Sequence, residues 1–194
     1  MLQFISDFGD TAFLLPATLL ILGYLACLQA RPSAIAWASA FAACGVLTSL
    51  LKVGFMACGE RIAILNVYTP SGHTSIATTF YLGVGLLISR NKSPLPGLAV
   101  MVGATGLVAA IAASRVLLEY HTGGEVLVGL IIGIVCVTWF ATKYCAAPQP
   151  GLPVAPALGL LAVLAVFAHG QHINQESRFK AAAAYVRAHY GICN

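Results

Sequence analysis

The chain has 194 residues, of which 59% are hydrophobic and only 8% are charged. A soluble domain usually carries about 25% charged residues, so this chain has too few charges to cover a water-facing surface of its size. A lipid bilayer removes the need for such a surface. The composition therefore excludes an ordinary soluble protein and indicates an integral membrane protein.

Charge and cysteine usage exclude two further classes. The formal net charge is +4, but the ten Lys and Arg residues are scattered over short loops and form no basic stripe. We therefore predict no nucleic-acid partner. The six cysteines include no CxxC pair and have no zinc-type spacing with histidine. The sequence thus predicts neither a metal site nor a cofactor.

The first apolar segment is predicted to be a retained membrane helix. The first ten residues contain Asp7 and Asp10 and no Lys or Arg, which is the reverse of a cationic leader peptide. No cleaved signal peptide is therefore expected.

Apolar segments long enough to cross a bilayer occur six times along the chain. A hydrocarbon core about 30 Å thick needs roughly 20 helical residues, and prolines separate the segments as helix boundaries should. The fold class predicted is an all-α integral membrane protein, a six-transmembrane-helix bundle with a C-terminal interfacial helix. Its spans are expected near residues 12–30, 33–57, 71–89, 97–118, 123–142 and 152–169. Small-residue pairs such as Gly129 and Gly133 permit close helix contacts, within one chain or between two.

The chain is predicted to divide into a six-helix membrane domain, residues 1–170, and an amphipathic tail, residues 171–194. Within the tail, residues 175–190 are expected to form a helix that ends at Gly191. One face of this helix is apolar, which favours a position at the membrane interface. That face is formed by Phe179, Ala183, Val186 and Tyr190.

Six spans place the connecting loops on two sides of the membrane. One side, the cationic side, carries Arg31, Arg90, Lys92 and Lys143 without any acid, and the other, the mixed side, combines cations, histidines and acids. Short cationic loops stay in the cytoplasm, so the mixed side is predicted to face outward. The count of Lys and Arg does not itself favour this orientation, because the mixed side has six and the cationic side four. The predicted orientation depends on setting aside three cations of the mixed side, Lys52, Arg61 and Arg115, as residues of a site.

An outward-facing mixed side leads to a prediction about two cysteines. Cys58 and Cys193 would share an oxidising compartment, where a disulfide between them would tie the tail beside the loop between spans two and three.

The tetrapeptide Pro70-Ser71-Gly72-His73 opens the third predicted span. Proline suits the first position of a helix, and the Ser71 hydroxyl with the free N–H groups of a helix start forms an anion site. Gly72 lets an oxyanion approach the backbone closely. The same four residues are equally compatible with an ordinary capped helix start.

A second polar cluster consists of Ser114 and Arg115, then His121, then Glu125. Arg115 can direct two donors to phosphate oxygens. His121 is nucleophilic when neutral, and a carboxylate on its other nitrogen would fix its tautomer. Thr122 and Glu125 also match a capping box for the fifth helix. Glu125 is therefore predicted to orient His121, to cap the helix, or to do both.

These two clusters resemble the motifs of the type 2 phosphatidic acid phosphatase family, the lipid phosphate phosphatases. That family shows K-x6-RP, PSGH and SR-x5-H-x3-D. The chain matches the second motif completely at residues 70–73 and the third at Ser114, Arg115 and His121, with Glu125 where the family usually has Asp. The first motif is degraded, because Arg61 follows Lys52 after eight residues rather than six, and no proline follows it.

The resemblance implies metal-independent hydrolysis of a phosphate ester. By position, His121 would attack phosphorus to form a phosphohistidine, His73 would protonate the leaving oxygen, and Glu125 would assist His121. The remaining phosphate oxygens would be bound by Lys52, Arg61, Ser71, Gly72 and Arg115.

The resemblance further implies a lipid phosphate substrate, membrane lipids as partners, and a bacterial inner membrane location with the site facing the periplasm. Candidate substrates are undecaprenyl diphosphate, phosphatidylglycerophosphate, phosphatidic acid and lipid A phosphates. Two alternatives stay open: phosphotransfer between lipids, and an inactive relative that only binds lipid. A transporter is disfavoured, because the ionisable residues gather at one membrane side rather than along the spans. The oligomeric state stays open.

Overall fold

The computed structural model describes residues 2–59, 66–90, 92–145, 152–153, 159 and 175–190. Within these ranges the chain contains helices and no β-strand. In chain order the helices are α1 (Leu2–Asp7), α2 (Thr11–Cys27), α3 (Arg31–Cys58), α4 (Gly72–Ser89), α5 (Pro94–Leu117), α6 (Gly123–Cys145) and α7 (Gln175–Tyr190).

Four segments of the described chain are long and apolar enough to cross a membrane. They are Leu2–Cys27, Arg31–Cys58, Pro94–Leu117 and Gly123–Cys145. They coincide with the first, second, fourth and fifth predicted spans, which confirms a multi-pass, all-helical membrane protein. The sixth predicted span, 152–169, and the predicted domain boundary at residue 170 fall almost entirely outside the described residues.

Helix α4 follows the third predicted span but does not meet the same measure of length and apolarity. Its position explains its polar composition, because α4 packs against α2, α3, α5 and α6 and is covered by protein. Buried hydroxyls must find acceptors inside a membrane. Thr78 donates to the Thr74 carbonyl at 2.6 Å, and Thr79 donates to the Ser75 carbonyl at 3.0 Å. An inner helix can therefore be more polar than its lipid-facing neighbours.

Two glycines of α6 bring it into close contact with the start of α4. A Cβ added to Gly129 would lie 2.6 Å from the Ser71 carbonyl oxygen, and one added to Gly133 would lie 2.5 Å from the Thr78 Cβ. Only glycine permits such an approach. The small-residue pair is therefore used within one chain, and it places the N-termini of α4 and α6 side by side.

The tail helix α7 packs along α3. Arg187 donates from Nε to the Ala57 carbonyl at 2.6 Å and from Nη2 to the Met56 carbonyl at 3.0 Å, which satisfies acceptors in the last turn of α3. On the predicted apolar face, Ala183 is buried and Phe179 is half-buried. The contact anchors α7 beside the C-terminal end of α3.

Cys58, the last residue of α3, is disulfide-bonded. Four other cysteines are free thiols: Cys27, Cys44, Cys136 and Cys145. Cys193, the sixth cysteine, lies outside the described residues, so its pairing with Cys58 stays a prediction.

Candidate active site

A cavity of about 550 Å³ lies between α2, α3 and the start of α4. One end is polar and is lined by Asp10, Lys52, Gly72, His73, Arg115, His121 and Glu176. The remainder is mainly apolar and is lined from α2 and α3 by residues such as Leu14, Leu19, Leu22, Ala38 and Phe41. The cavity thus has the polarity of an amphiphile, with charged groups at one end only.

Of the eight predicted site residues, five line this cavity: Lys52, Gly72, His73, Arg115 and His121. Glu125 lies behind His121 and contacts it directly. Ser71 is fully buried beside the cavity, and Arg61 lies outside the described residues. The fold therefore gathers side chains from α3, α4, α5 and the turn before α6 around one space.

His121 is positioned by the turn that connects α5 and α6. The Arg115 carbonyl accepts hydrogen bonds from the N–H groups of both Tyr120 and His121, at 3.1 and 3.2 Å. Glu119 adopts a left-handed conformation with φ of 58°, which reverses the chain direction there. The turn thereby holds His121 close to Arg115.

The His121 ring is paired with Glu125, four residues further along. Its Nδ1 lies 2.8 Å from the Glu125 Oε2, and the two side chains are only 10% and 7% exposed. A carboxylate on Nδ1 favours the tautomer that carries its proton there and leaves Nε2 with a lone pair. The arrangement suits a neutral, nucleophilic imidazole.

Glu125 also caps α6, so it both contacts His121 and serves the helix start, as one of the sequence-based alternatives predicted. Its Oε1 accepts from the N–H groups of Tyr68 and Thr69 at 3.1 and 2.9 Å, and its Oε2 accepts from Thr122 at 3.1 Å. In return, the Thr122 hydroxyl accepts from the Glu125 N–H at 3.2 Å, which completes a capping box. One carboxylate therefore fixes His121, the helix start and the segment before α4.

Burial lowers the pKa of His121 below its ordinary value of 6.5. The hydrogen bond to Glu125 opposes this shift, whereas the nearby charges of Lys52 and Arg115 act in the same direction as burial. Burial therefore favours the neutral form of His121.

Lys52 contacts the tail at the polar end of the cavity. Its Nζ lies 3.1 Å from the Glu176 Oε2 and 5.4 Å from the centroid of the Phe179 ring, both on α7. The Lys52 side chain is 6% exposed, whereas that of Glu176 is 46% exposed. The Glu176 carboxylate is therefore accessible to water, whereas Lys52 is buried.

Arg115 presents a donor without an acceptor. Its Nη1 donates to the Ser6 hydroxyl at 2.8 Å, and its guanidinium lies 4.5 Å from the centroid of the Tyr120 ring. Its Nε is buried and has no hydrogen-bond partner within the part of the chain that the structure describes. A buried unsatisfied donor costs about 1–3 kcal/mol.

Ser71 serves as the N-cap of α4. Its hydroxyl lies 2.9 Å from the Thr74 hydroxyl and accepts from the Thr74 N–H at 3.4 Å, and its own N–H donates to the Glu125 carbonyl at 3.0 Å. Its polar atoms thus serve the helix start, and Ser71 does not line the cavity.

Asp10 and Glu176 line the polar end although no sequence pattern predicted a role for them there. The Asp10 Oδ2 lies 3.4 Å from the His73 Nε2. An aspartate immediately before an apolar segment is a signal for a helix N-cap, and Asp10 is the N-cap of α2. No local sequence pattern indicates that Asp10 faces His73 or that Glu176 faces Lys52.

In the described ranges, no group of three or more His, Cys, Asp and Glu side chains is arranged to hold a metal ion.

Comparison with known proteins agrees with the motifs. The model of the PAP2 superfamily matches residues 11–147. A Klebsiella pneumoniae relative, described as an uncharacterized 22.5 kDa protein in the cps region, is 31% identical over 150 residues. The alignment covers 76% of this chain and 71% of the relative. No solved structure matches the chain significantly. The match confirms the resemblance seen in the motifs: the chain belongs to the PAP2 superfamily, whose members are phosphatases that act on phosphate esters.

Proposed function

We propose that this protein hydrolyses a lipid phosphate or diphosphate monoester through a phosphohistidine intermediate, without a metal ion. One observation carries the proposal: the His121–Glu125 pair, His73 and the cations Lys52 and Arg115 meet at the polar end of one cavity whose other end is apolar.

The first step is attack on phosphorus. The lone pair of the His121 Nε2 forms the new nitrogen–phosphorus bond while the bond to the leaving oxygen breaks. That oxygen belongs to the lipid alcohol in a monophosphate and bridges the two phosphorus atoms in a diphosphate. The Glu125 carboxylate stabilises the cation that develops on the ring. The leaving oxygen departs with a proton from His73, the second histidine of the cavity.

Water completes the reaction. His73, now neutral, takes a proton from the attacking water molecule, the nitrogen–phosphorus bond breaks, and inorganic phosphate leaves. Neutral His121 and protonated His73 are restored for the next substrate.

The negative charge of the transferring phosphoryl group is balanced by side chains. Phosphoryl transfer depends on positioning and on stabilising charge on the equatorial oxygens, which fixed cations can provide. Lys52 and Arg115 supply two cations at the polar end of the cavity. Gly72 leaves space beside its backbone. A Cβ there would contact only the Lys52 and Thr48 side chains, at the ordinary distances of 3.8 and 3.9 Å. Protein packing does not require a glycine at this position, but a closely bound oxyanion does.

The apolar part of the cavity supports a lipid substrate. Lys52 and Ala38 both line the cavity and are 14 residues apart on α3. At about 1.5 Å per residue, the apolar part extends roughly 20 Å from the charged end. A hydrocarbon chain fills such a space and a small water-soluble phosphate does not. Undecaprenyl diphosphate, phosphatidylglycerophosphate, phosphatidic acid and lipid A phosphates all join a phosphate group to a hydrocarbon chain.

The inner membrane, with the site facing the periplasm, is the location we propose.

The test is phosphate release by the purified protein from these four lipids and from glycerol phosphate, in the presence of a chelator. We expect release from at least one lipid, inhibition by vanadate, and a much lower kcat/KM for glycerol phosphate. Vanadate mimics five-coordinate phosphorus, so indifference to it contradicts the scheme. Loss of free phosphate when a second lipid is added as acceptor would identify a phosphotransferase instead.

Replacing Glu125 with glutamine separates its two roles. The remaining Oε1 can still accept from Tyr68 and Thr69, but the new amide nitrogen cannot accept from the Thr122 N–H, so the melting temperature should fall only modestly. The new amide donates to the His121 Nδ1, which forces the ring proton onto Nε2 and removes the nucleophilic lone pair. We expect kcat to fall by about 10³-fold, in line with the roughly 10⁴-fold effect of the corresponding change in a serine protease triad. A near-normal kcat would show that Glu125 serves only as a cap.

Activity should decline as the pH falls through the pKa of His121. The protonated ring has no lone pair, and burial lowers this pKa below 6.5, so the acidic limb of the kcat/KM profile that His121 causes should lie below pH 6.5. The Glu125 hydrogen bond raises this pKa, so the residual activity of Glu125→Gln should decline at still lower pH. A pH profile of kcat/KM measures both. An acidic limb that already begins above pH 7 as the pH is lowered would contradict a neutral His121.

A further inference from the structure

Asp10 forms a close contact with His73 that the three motifs do not include. The Asp10 Oδ2 lies 3.4 Å from the His73 Nε2, and the Asp10 side chain is 9% exposed. Both residues line the polar end of the cavity. Asp10 immediately precedes the region that matches the family, which begins at residue 11.

The Asp10 carboxylate is held in place from two directions. Its Oδ1 accepts from the Ala12 N–H at 2.8 Å, and its backbone carbonyl accepts from Phe13 and Leu14 at 3.1 and 2.9 Å. The Oδ1 atom therefore caps the start of α2, and the Oδ2 atom contacts His73. A cap that serves α2 alone does not need this second contact.

The segment that carries Asp10 is attached to the helices of the site. The Tyr81 hydroxyl of α4 donates to the Phe8 carbonyl at 2.9 Å, and Arg115 of α5 donates to the Ser6 hydroxyl at 2.8 Å. Gly9 allows the close approach, because a Cβ there would lie 2.8 Å from the Ile111 Cγ2 and 3.5 Å from the His73 Cβ. Packing thus determines the distance between Asp10 and His73.

The proposed reaction needs a charged His73. The oxygen of a lipid alcohol is a poor leaving group and must be protonated as its bond to phosphorus breaks. His73 shares the cavity with Lys52 and Arg115, whose charges disfavour a third cation nearby. The Asp10 carboxylate in contact with the ring opposes that repulsion.

We propose that Asp10 is a positioning residue that favours the imidazolium form of His73 during the reaction, with Nε2–H directed at Asp10 and Nδ1–H available to the leaving oxygen. This inference rests on the proposed function. As the phosphorus–oxygen bond breaks, its electron pair stays on the lipid oxygen, which takes the proton from Nδ1. His73 is left neutral beside Asp10 until the attacking water returns a proton.

The test compares two leaving groups in the Asp10→Asn variant. Asparagine is as good an N-cap as aspartate, so the start of α2 is preserved while the charge is lost. The substrates are a lipid phosphate, whose alcohol needs protonation, and p-nitrophenyl phosphate, whose phenolate does not. We expect kcat for the lipid to fall by about 10²-fold and kcat for the aryl ester to change by less than about threefold. His73→Asn should show the same selectivity, and the double variant should be no worse than His73→Asn alone.

Asp7→Asn is the matched control, because Asp7 lies on α1, accepts from the Gln3 Nε2 at 3.0 Å and does not line the cavity. It should leave the ratio of the two rates unchanged. Asp10→Ser supplies a second N-capping variant if the asparagine protein is unstable, and it should give the same ratio. Equal losses on both substrates, or no loss on either, would overturn the role of Asp10. Failure of the wild-type protein to release phosphate from any lipid would instead reject the proposed function.

Discussion

Replacing His121 with alanine should lower kcat for lipid phosphate hydrolysis by about 10⁴-fold or more. Loss of a covalent nucleophile removes the reaction path itself, and comparable losses in serine proteases reach about 10⁶-fold. The effect should appear in kcat, because the cations and the apolar cavity that bind the substrate remain. Rapid-quench measurements should detect an acid-labile phosphoprotein in the wild type and none in the variant.

His189 provides the control for this experiment. It lies on α7, is exposed, and has its Nδ1 3.0 Å from the Tyr185 carbonyl oxygen, away from the cavity. His189→Ala should therefore retain wild-type kcat. Phosphoprotein formation by His121→Ala at an undiminished rate would show that another group is the nucleophile.

Replacing Arg115 with alanine should lower kcat/KM by about 10²–10³-fold. This magnitude is typical for removal of one group that stabilises developing charge in a transition state. Arg115→Lys should recover only part of the loss, because an ammonium cannot direct two parallel donors at a phosphate. The inhibition constant of vanadate should rise in step with the loss of kcat/KM, because vanadate resembles the transition state.

Two variants control for indirect effects of the Arg115 change. Ser6→Ala removes the hydrogen bond that Ser6 accepts from Arg115 but keeps the charge. Lys143→Ala removes a cation 4.8 Å from the Trp139 ring, at the other end of α6. Both should leave the vanadate inhibition constant nearly unchanged. A loss in Ser6→Ala as large as that in Arg115→Ala would assign the effect to structure rather than to charge.

The local features of the site could be read from the sequence. His121 and Glu125 are four residues apart, so a short turn followed by a helix start is enough to bring them together. The capping box of Thr122 and Glu125 also depends only on neighbouring residues. Composition likewise determined the membrane class, because too few charged residues exclude a water-facing surface.

Other features depended on which helices pack together. Asp10 is 63 residues from His73 in the chain, and Glu176 is 124 residues from Lys52. No periodicity or spacing connects residues so far apart. Ser71 illustrates the opposite case, since a motif residue expected to bind phosphate is directed into the helix cap and away from the cavity.

The sequence by itself determined the membrane class, the positions of the main helices and the family, since these follow from composition, apolar segment length and motifs of a few residues. Only the tertiary structure decided that α4 is covered by other helices, that Gly129 and Gly133 serve contacts within one chain, and that acids from α2 and α7 face His73 and Lys52. The physical reason is that contacts between distant segments arise from the packing of whole helix faces, which local residue patterns do not specify.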